Sequence, residues 1–408
     1  MLKNYNLIVV GAGGAGMMSA IVAARNGHKV LILEKLHRIG AKLRATGGGR
    51  CNLTNTLDSE SFISCFGREG RFMTQALRAL DYKGLIDFFS KIGVETHSPD
   101  GYRVFPTTHN SSTIISALEI EMRRLGIDIL SSNKVKELIV ENNQIRGVKT
   151  VSNIYNAPNV IIATGGLGYP QLGAEGDGYN LASSVGHNIK KVFPAMLPLK
   201  SKESWVKNCR ANTVAKVEIK IDLRKYKKLK AKGDLIFTSN GIRGPVVLDF
   251  AREITPILEK YREVPILMNL TKGMNEEQIR DVIKNSSNPI IENITKLLPS
   301  SIAKELCLIV GIDGSEKFKN IAGLKRDKLI KILAWTPLTI VGHDGFKMAM
   351  ITRGGVFLKE INPNTMESKI VKGLFFCGEV MDLDGPCGGY NLQWAFSSGF
   401  LAGKNIGA

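Results

Sequence analysis

Four groups of residues in this chain combine glycines with polar side chains at spacings that do chemistry. In the first, Gly11-Ala12-Gly13-Gly14-Ala15-Gly16 is followed by a carboxylate at Glu34, the pattern that holds the pyrophosphate and ribose of a dinucleotide. Gly11 allows the tight turn, Gly13 leaves room for a phosphate, and Gly16 lets a helix approach the strand before it. Amide groups of a helix starting at Gly14 and Ala15 would point at the anion, with the positive end of the helix dipole behind them. Glu34 would accept hydrogen bonds from ribose hydroxyls and repel a 2′-phosphate, so the adenosine half is expected to be unphosphorylated, as in FAD or NAD. Lys35, next to it, belongs to the same expected site.

The second group is Thr46-Gly47-Gly48-Gly49-Arg50-Cys51-Asn52, with Lys42 and Arg44 just upstream. Three consecutive glycines are costly inside a regular element but suit a backbone lying flat against a planar ligand. The third is Ala163-Thr164-Gly165-Gly166, ending an apolar run and followed by Asp177, which either caps the next helix or touches the ligand; taken alone, capping is its expected role. The fourth is Gly378-Glu379, Asp382 and Gly388-Gly389-Tyr390-Asn391-Leu392. It places helix N-terminal amides beside a glycine loop at the end of a strand, where they would stabilise charge developing at flavin N1 and C2=O as N5 accepts hydride. A nicotinamide dehydrogenase has no need of that arrangement. The expected ligand is therefore FAD, held by both ends of the chain.

The elements that must position these groups follow from the pattern. Tyr5–Val10 reads as a buried strand, Met17–Ala24 as an apolar helix stopped by Asn26-Gly27, and Lys29–Leu33 as a second strand ending at Glu34. Together they make a βαβ unit and an α/β fold class. Helices are expected over Phe72–Gly93, Thr113–Leu125, Tyr179–Gly186 and Leu392–Ala402, with a hairpin over Val94–Pro106. From Phe193 the composition shifts to strands between basic loops, including Val214–Ile221, Leu235–Thr238 and Val264–Asn269. The expected organisation is a Rossmann-like domain over 1–192 and 343–408, a β-rich insert over 193–274 and 337–342, and a helical subdomain over 275–336. Thr238–Pro245 in the insert reads as a substrate-facing turn.

A chain of 408 residues has room for two or three domains. Six scattered cysteines, none in a Cys-x-x-Cys pair, argue for a reducing compartment and against a zinc site or a dithiol flavoenzyme. No apolar run reaches the ~20 residues of a membrane span, and the first strand follows directly on the start. The expectation is a cytoplasmic protein with no signal peptide, membrane contact or metal. Net charge is +18, and between Lys190 and Lys232 fourteen Lys/Arg face only Glu203, Glu218 and Asp222. Two readings of this surplus stay open: a solvated face, or a patch that meets a polyanion.

The motifs Gly11–Gly16 with Glu34, Thr46–Asn55, Ala163–Gly166, Phe237–Pro245, Gly354-Gly355-Val356, Cys377–Asp382 and Gly388–Asn391 resemble the BaiN/YhiN-type, or aminoacetone-oxidase-like, flavoprotein family. The resemblance spans nearly the whole chain. It implies noncovalent FAD in a Rossmann-like domain of the type with two dinucleotide-binding domains, a β-barrel-like insert over the flavin, and a small nested helical subdomain. Arg243 departs from the pattern, standing where relatives usually carry Ser, and Cys387 lies where the family varies. The resemblance also implies one of three chemistries: oxidation of an amine such as aminoacetone, reduction of a steroid enone, or reduction of uracil to dihydrouridine in large-subunit (23S) ribosomal RNA. All are hydride exchange at flavin N5. Only the RNA is a polyanion, so the basic segment 190–232 favours it. A noncatalytic RNA-binding flavoprotein is the remaining alternative.

Catalytic candidates are Cys51, as proton donor or as a small residue packed under the ring, and Arg243; His109 and His343 are possible acids. Arg243, Tyr390 and Trp394 could stack an unpaired base. With no second Gly-x-Gly-x-x-Gly unit, NAD(P)H is expected to dock transiently as reductant, or electrons to pass to oxygen. The sequence does not specify an oligomeric state.

Overall fold

The computed structural model describes residues 4–284 and 287–407, and the chain divides into two compact units, residues 1–193 with 351–408 and residues 194–350. The first is built on a five-stranded parallel sheet ordered Leu374–Phe376, Val160–Ile162, Leu7–Val10, Val30–Leu33, Asp128–Leu130. Its three central strands are Val/Ile/Leu-rich and buried along their whole length, as a parallel sheet covered on both faces requires. In register, Val9 lies between Ile161 and Ile32, and Ile161 lies between Val9 and Phe375. Residues from both ends of the chain thus enter one sheet. An antiparallel meander (Val135–Glu141, Gln144–Thr150, Ile154–Asn156), a small sheet (Thr54–Asn55, Arg103–Pro106, Thr96–His97) and a two-stranded ribbon of Ile351–Val356 with Ile189–Ala195 complete this unit's strands among the described residues, the last two residues of Ile189–Ala195 falling past residue 193.

The helix expected over Phe72–Gly93 is two helices, Thr74–Ala79 and Tyr82–Lys91. The break has a local cause. Leu80 leaves helical geometry, and its carbonyl accepts from Gln393 Nε2 (3.0 Å) and Ser397 Oγ (2.6 Å) of the C-terminal helix instead of continuing its own. Asp81 restarts the chain by accepting from the Gly84 N–H at 2.8 Å.

In the second unit six strands close a barrel in the order Leu199–Ser201, Gly241–Arg243, Lys230–Phe237, Thr213–Ile221, Val264–Asn269, Thr336–His343. Val217, Ile219, Ile221, Leu235, Phe237 and Ile266 fill its interior, alternating with polar residues outside. The long helix Pro245–Tyr261 and the helices Glu276–Lys284, Ile290–Ile294, Ser300–Val310 and Gly323–Ala334 share this second core. Residues 285–286, inside the span read as helical, lie outside the described residues. The segment Thr238–Pro245, read as a turn, contributes a barrel strand: Ile242 pairs with Leu199 and Arg243 with Ile236. Gly241 makes this possible, since a Cβ there would stand 2.0 Å from Leu199 O. No helix among the described residues is long and apolar enough to cross a membrane.

Candidate cofactor site

The nucleotide end is built by close backbone contacts. Gly11 has φ +104°, and a Cβ on it would lie 2.7 Å from Ala163 O; one on Gly16 would lie 2.0 Å from Gly11 O. The helix Gly14–Arg25 therefore rests directly on the turn. Gly13 differs: a Cβ there would meet nothing within 4 Å, which leaves open space in front of the helix's free amides. The Glu34 carboxylate is held across the turn, accepting from Ala12 N at 2.8 Å and Leu36 N at 2.9 Å.

Asp177 does not cap its helix. Gly176 occupies that position, and the Asp177 carboxylate pairs with Lys35 (2.5 Å) and Lys134 (2.7 Å). Burial pushes this carboxyl up, but the two lysines outweigh it and hold it below its ordinary value. Lys35 also reaches Glu175 at 2.8 Å, so this end of the site is a neutralised cluster rather than a free cation.

A second network joins motifs far apart in sequence. Glu379 accepts from Lys42 Nζ at 2.7 Å and from Thr352 N at 2.9 Å. The Thr352 hydroxyl oxygen in turn accepts from Leu167 N (2.7 Å) and Gly168 N (3.1 Å). A Cβ on Gly166 would come within 2.4 Å of that same oxygen. Sequence reasoning missed Thr352, whose signal was its place just before Arg353-Gly354-Gly355 on the strand that returns to this unit.

The Thr46–Gly49 segment forms a single tight turn in which Gly47 and Gly48 have φ +59° and +66°. A Cβ on Gly47 would strike Asn52 N at 2.9 Å, whereas Gly48 and Gly49 face open space. Thr46 is bonded locally, its hydroxyl donating to Leu43 O at 2.6 Å. Arg50 extends over the ring of Phe105 at 5.5 Å. Cys51 is fully buried, and burial pushes its thiol up to about 12 against a hydrogen bond with Thr46, so it is protonated at neutral pH. With its amide nitrogen toward Thr54 O (2.9 Å), Asn52 accepts from Gly389 N at 3.1 Å. Asn55 donates to Gly388 O at 2.9 Å. The two glycine loops are thus fastened to each other. Asn391 fixes the second by accepting from Gly385 N (2.8 Å) and donating to Gly385 O (2.9 Å).

The two helices that open these motifs run parallel. Leu392 and Phe396 stand against Gly14, Gly399 against Ala15 O, and Gly403 against Ser19 O. The N-termini of Gly14–Arg25 and Tyr390–Lys404 consequently point the same way, that of the second helix standing about two turns ahead because Gly399, not Tyr390, lies against Ala15. Two positive helix ends repel unless something electron-rich spans them. A phosphate at one and the pyrimidine edge of a flavin at the other meet that demand, and the open faces at Gly13, Gly48 and Gly49 give both room. The residues present fit FAD.

Other candidates fall elsewhere. Arg44 donates to Ser112 Oγ at 2.7 Å and lines a surface groove with Arg38, Ile115 and Arg123. Trp394 is 1% exposed and packs edge-on against Phe72, and Tyr390 is 6% exposed, so neither offers a face for stacking a base. The Tyr390 hydroxyl instead meets Tyr102 Oη at 2.5 Å and accepts from Cys65 Sγ at 3.5 Å. Burial pushes Asp382 above the ordinary carboxylate range despite its ion pair with Lys190 at 2.6 Å. The Ala163-Thr164-Gly165 segment follows the strand Val160–Ile162 beneath Gly11. His109 is exposed and stacks edge-on against His97, while His343 and Arg243 belong to the second unit. Arg243 is exposed there. No cluster of three or more potential metal ligands occurs among the described residues.

The model of the HI0933-like protein Rossmann domain matches residues 5–405. The chain belongs to the HI0933-like family. Its resemblance to 3-dehydro-bile acid delta(4,6)-reductase of Clostridium scindens is 32% identity over 97% of both chains. To the ribosomal RNA dihydrouridine synthase of Haemophilus influenzae it is 29% over 98% of both. Among solved structures, 3-ketosteroid-delta4-(5alpha)-dehydrogenase from Rhodococcus jostii RHA1 shares the fold, with a TM-score of 0.53 at 14% identity, covering 99% of this chain and 97% of that one. As an HI0933-like protein, the chain is an oxidoreductase with the Rossmann-like fold of flavoproteins.

Proposed function

We propose that this HI0933-like protein is an FAD-dependent reductase that converts a uracil of large-subunit ribosomal RNA to dihydrouridine at the expense of NAD(P)H. When bound, FAD would supply a two-electron carrier between NAD(P)H and the uracil, for an overall reaction in which NAD(P)H, a proton and uridine give NAD(P)⁺ and dihydrouridine, C6 gaining hydride and C5 a proton. The chain's own residues do the rest. Gly13 and the amides of Gly14–Gly16 receive the pyrophosphate, Glu34 orients the ribose, and the N-terminus of Tyr390–Lys404 stabilises charge on the ring's pyrimidine edge. Lys42 and Glu379 hold the two sides of the site in one network. Cys51 is the titratable group within the ring-facing loop.

The observation that carries the RNA substrate is the charge of segment 190–232. Among the described residues, Lys207, Arg210, Lys216, Lys220, Arg224 and Lys225 stand in it without a carboxylate partner, as do Lys227, Lys228 and Lys232. The near full-length likeness to a ribosomal RNA dihydrouridine synthase supports the same reading. Mass spectrometry of ribosomal RNA from cells with and without the gene tests it. Dihydrouridine should vanish on deletion and return with the wild-type copy; an unchanged level overturns the reading. The likeness to a bile acid reductase favours a second reading, reduction of a small conjugated ketone, which predicts rapid oxidation of the reduced flavin by enones irrespective of salt.

A further inference from the structure

The barrel hairpin formed by Thr213–Ile221 and Lys230–Phe237 places Lys220 directly opposite Lys230 on its outer face. Like charges in that relation destabilise an antiparallel pair. The molecule offsets this only in part. The Lys220 ammonium sits 3.5 Å from the ring centre of Trp335, and Lys230 has Glu218 no nearer than 3.9 Å. The connecting turn adds exposed Arg224, Lys225, Lys227 and Lys228, none paired with a carboxylate among the described residues. Within that turn Tyr226 meets Tyr261 edge-on at 6.2 Å, and Tyr261 remains 43% exposed. Lys225 and Lys260 stand 5.8 Å and 5.3 Å from these two rings.

A solvated face has no reason to set cations across from one another and leave an aromatic ring bare among them. A phosphate chain bearing unpaired bases supplies what is missing: anions between the lysines and a flat partner for the tyrosine. We infer that the outer face of this hairpin, with the Tyr226–Tyr261 pair, is a docking surface for single-stranded RNA. The inference rests on the RNA reading above and assigns it to particular side chains. Duplex RNA would use the lysines but leave Tyr261 idle.

The test is fluorescence anisotropy of a labelled single-stranded oligoribonucleotide with the FAD-loaded protein, titrated between ~50 and ~200 mM salt. Lys220→Gln with Lys230→Gln should weaken binding about tenfold and lower the log–log salt slope by about 1.4, two contacts at ~0.7 each. The same change should leave flavin content unchanged and shift Tm by no more than a few degrees, because the repulsion removed offsets the lost contact of Lys220 with Trp335. Tyr261→Leu should weaken single-strand binding about tenfold through lost stacking with no change of slope. Unaltered affinity and slope in the lysine variant, absence of RNA binding by the wild type, or equal loss of duplex and single-strand binding in Tyr261→Leu each overturn the assignment. Variants that behave as expected, in cells whose dihydrouridine does not depend on the gene, keep the surface and remove the uracil-reductase reading. Unaffected variants beside gene-dependent dihydrouridine do the reverse.

Discussion

At the scale of single residues, Cys51 separates two roles by experiment. It is fully buried, and its thiol is pushed up to about 12, which fits packing better than proton delivery. Cys51→Ala should therefore lower Tm by a few degrees, for a core truncation of ~1–2 kcal/mol, and leave kcat within about threefold. A fall in kcat of a hundredfold or more, with flavin reduction by NAD(P)H intact, would instead make it the proton donor. His187 gives a pH dependence. Its side chain is wholly buried, Nε2 lies 2.7 Å from Ser368 Oγ, and Nδ1 lies 3.2 Å from Glu360. Ser368 Oγ already accepts from Ile370 N and Val371 N, so its own proton is directed at Nε2. Burial pushes the imidazole below its ordinary value despite the nearby carboxylate. The unfolded chain then binds the proton more readily, and the contribution is complete above the unfolded pKa of ~6.5 and declines as pH falls below it. Tm should drop from about pH 6.5 downward, and the slope should flatten in His187→Gln. Packing was one of the two roles the sequence offered for Cys51, but the partners of His187 were not legible, because they lie 173 and 181 positions away and only the fold brings them near.

Among elements, what was legible is what is local. The strand–glycine–helix–strand run and its acidic end are set by near neighbours, and they stand where the spacing put them. The break at Leu80 and the pairing of Asp177 with Lys134 were not, since their causes lie 313 and 43 positions away. The Lys42–Glu379–Thr352 network is of the same kind. Thr352→Val keeps the shape but strips an acceptor from two backbone N–H groups, so it should cost about 1–3 kcal/mol, read as lowered Tm and increased FAD loss on dilution. The parallel helices Gly14–Arg25 and Tyr390–Lys404 are equally sensitive. A methyl at Gly399 would lie 2.3 Å from Ala15 O, so Gly399→Ala must push the helices apart. Its expected cost is ~1–3 kcal/mol, with flavin content falling along with Tm.

For the molecule as a whole, the sequence conveyed the fold class and its family, because several motifs agree on one architecture. The barrel was expected only through the family resemblance; the pairing that closes it, Leu199–Ser201 with a strand more than a hundred residues later, is not a local signal. The two units have separate hydrophobic cores. If the cofactor is held by the first, adding FAD at 100 times its Kd should stabilise that unit by about 2.7 kcal/mol, and hydrogen exchange should slow in residues 4–193 and 351–407 but not in 194–350. Protection spread evenly over both would contradict this. The first unit also has a history in time. Its strand Val160–Ile162 has Leu374–Phe376 as a neighbour, and its first helix packs on Gly399 and Gly403. A ribosome adding ~5–20 residues per second reaches those positions some ~20–80 s after the first strand has emerged. The second unit is complete in sequence by residue 350, while the first still lacks Leu374–Phe376 and Tyr390–Lys404. A product released at residue 373 would lack the strand and helix that complete the site, so translation itself decides when this protein becomes able to hold its ligand.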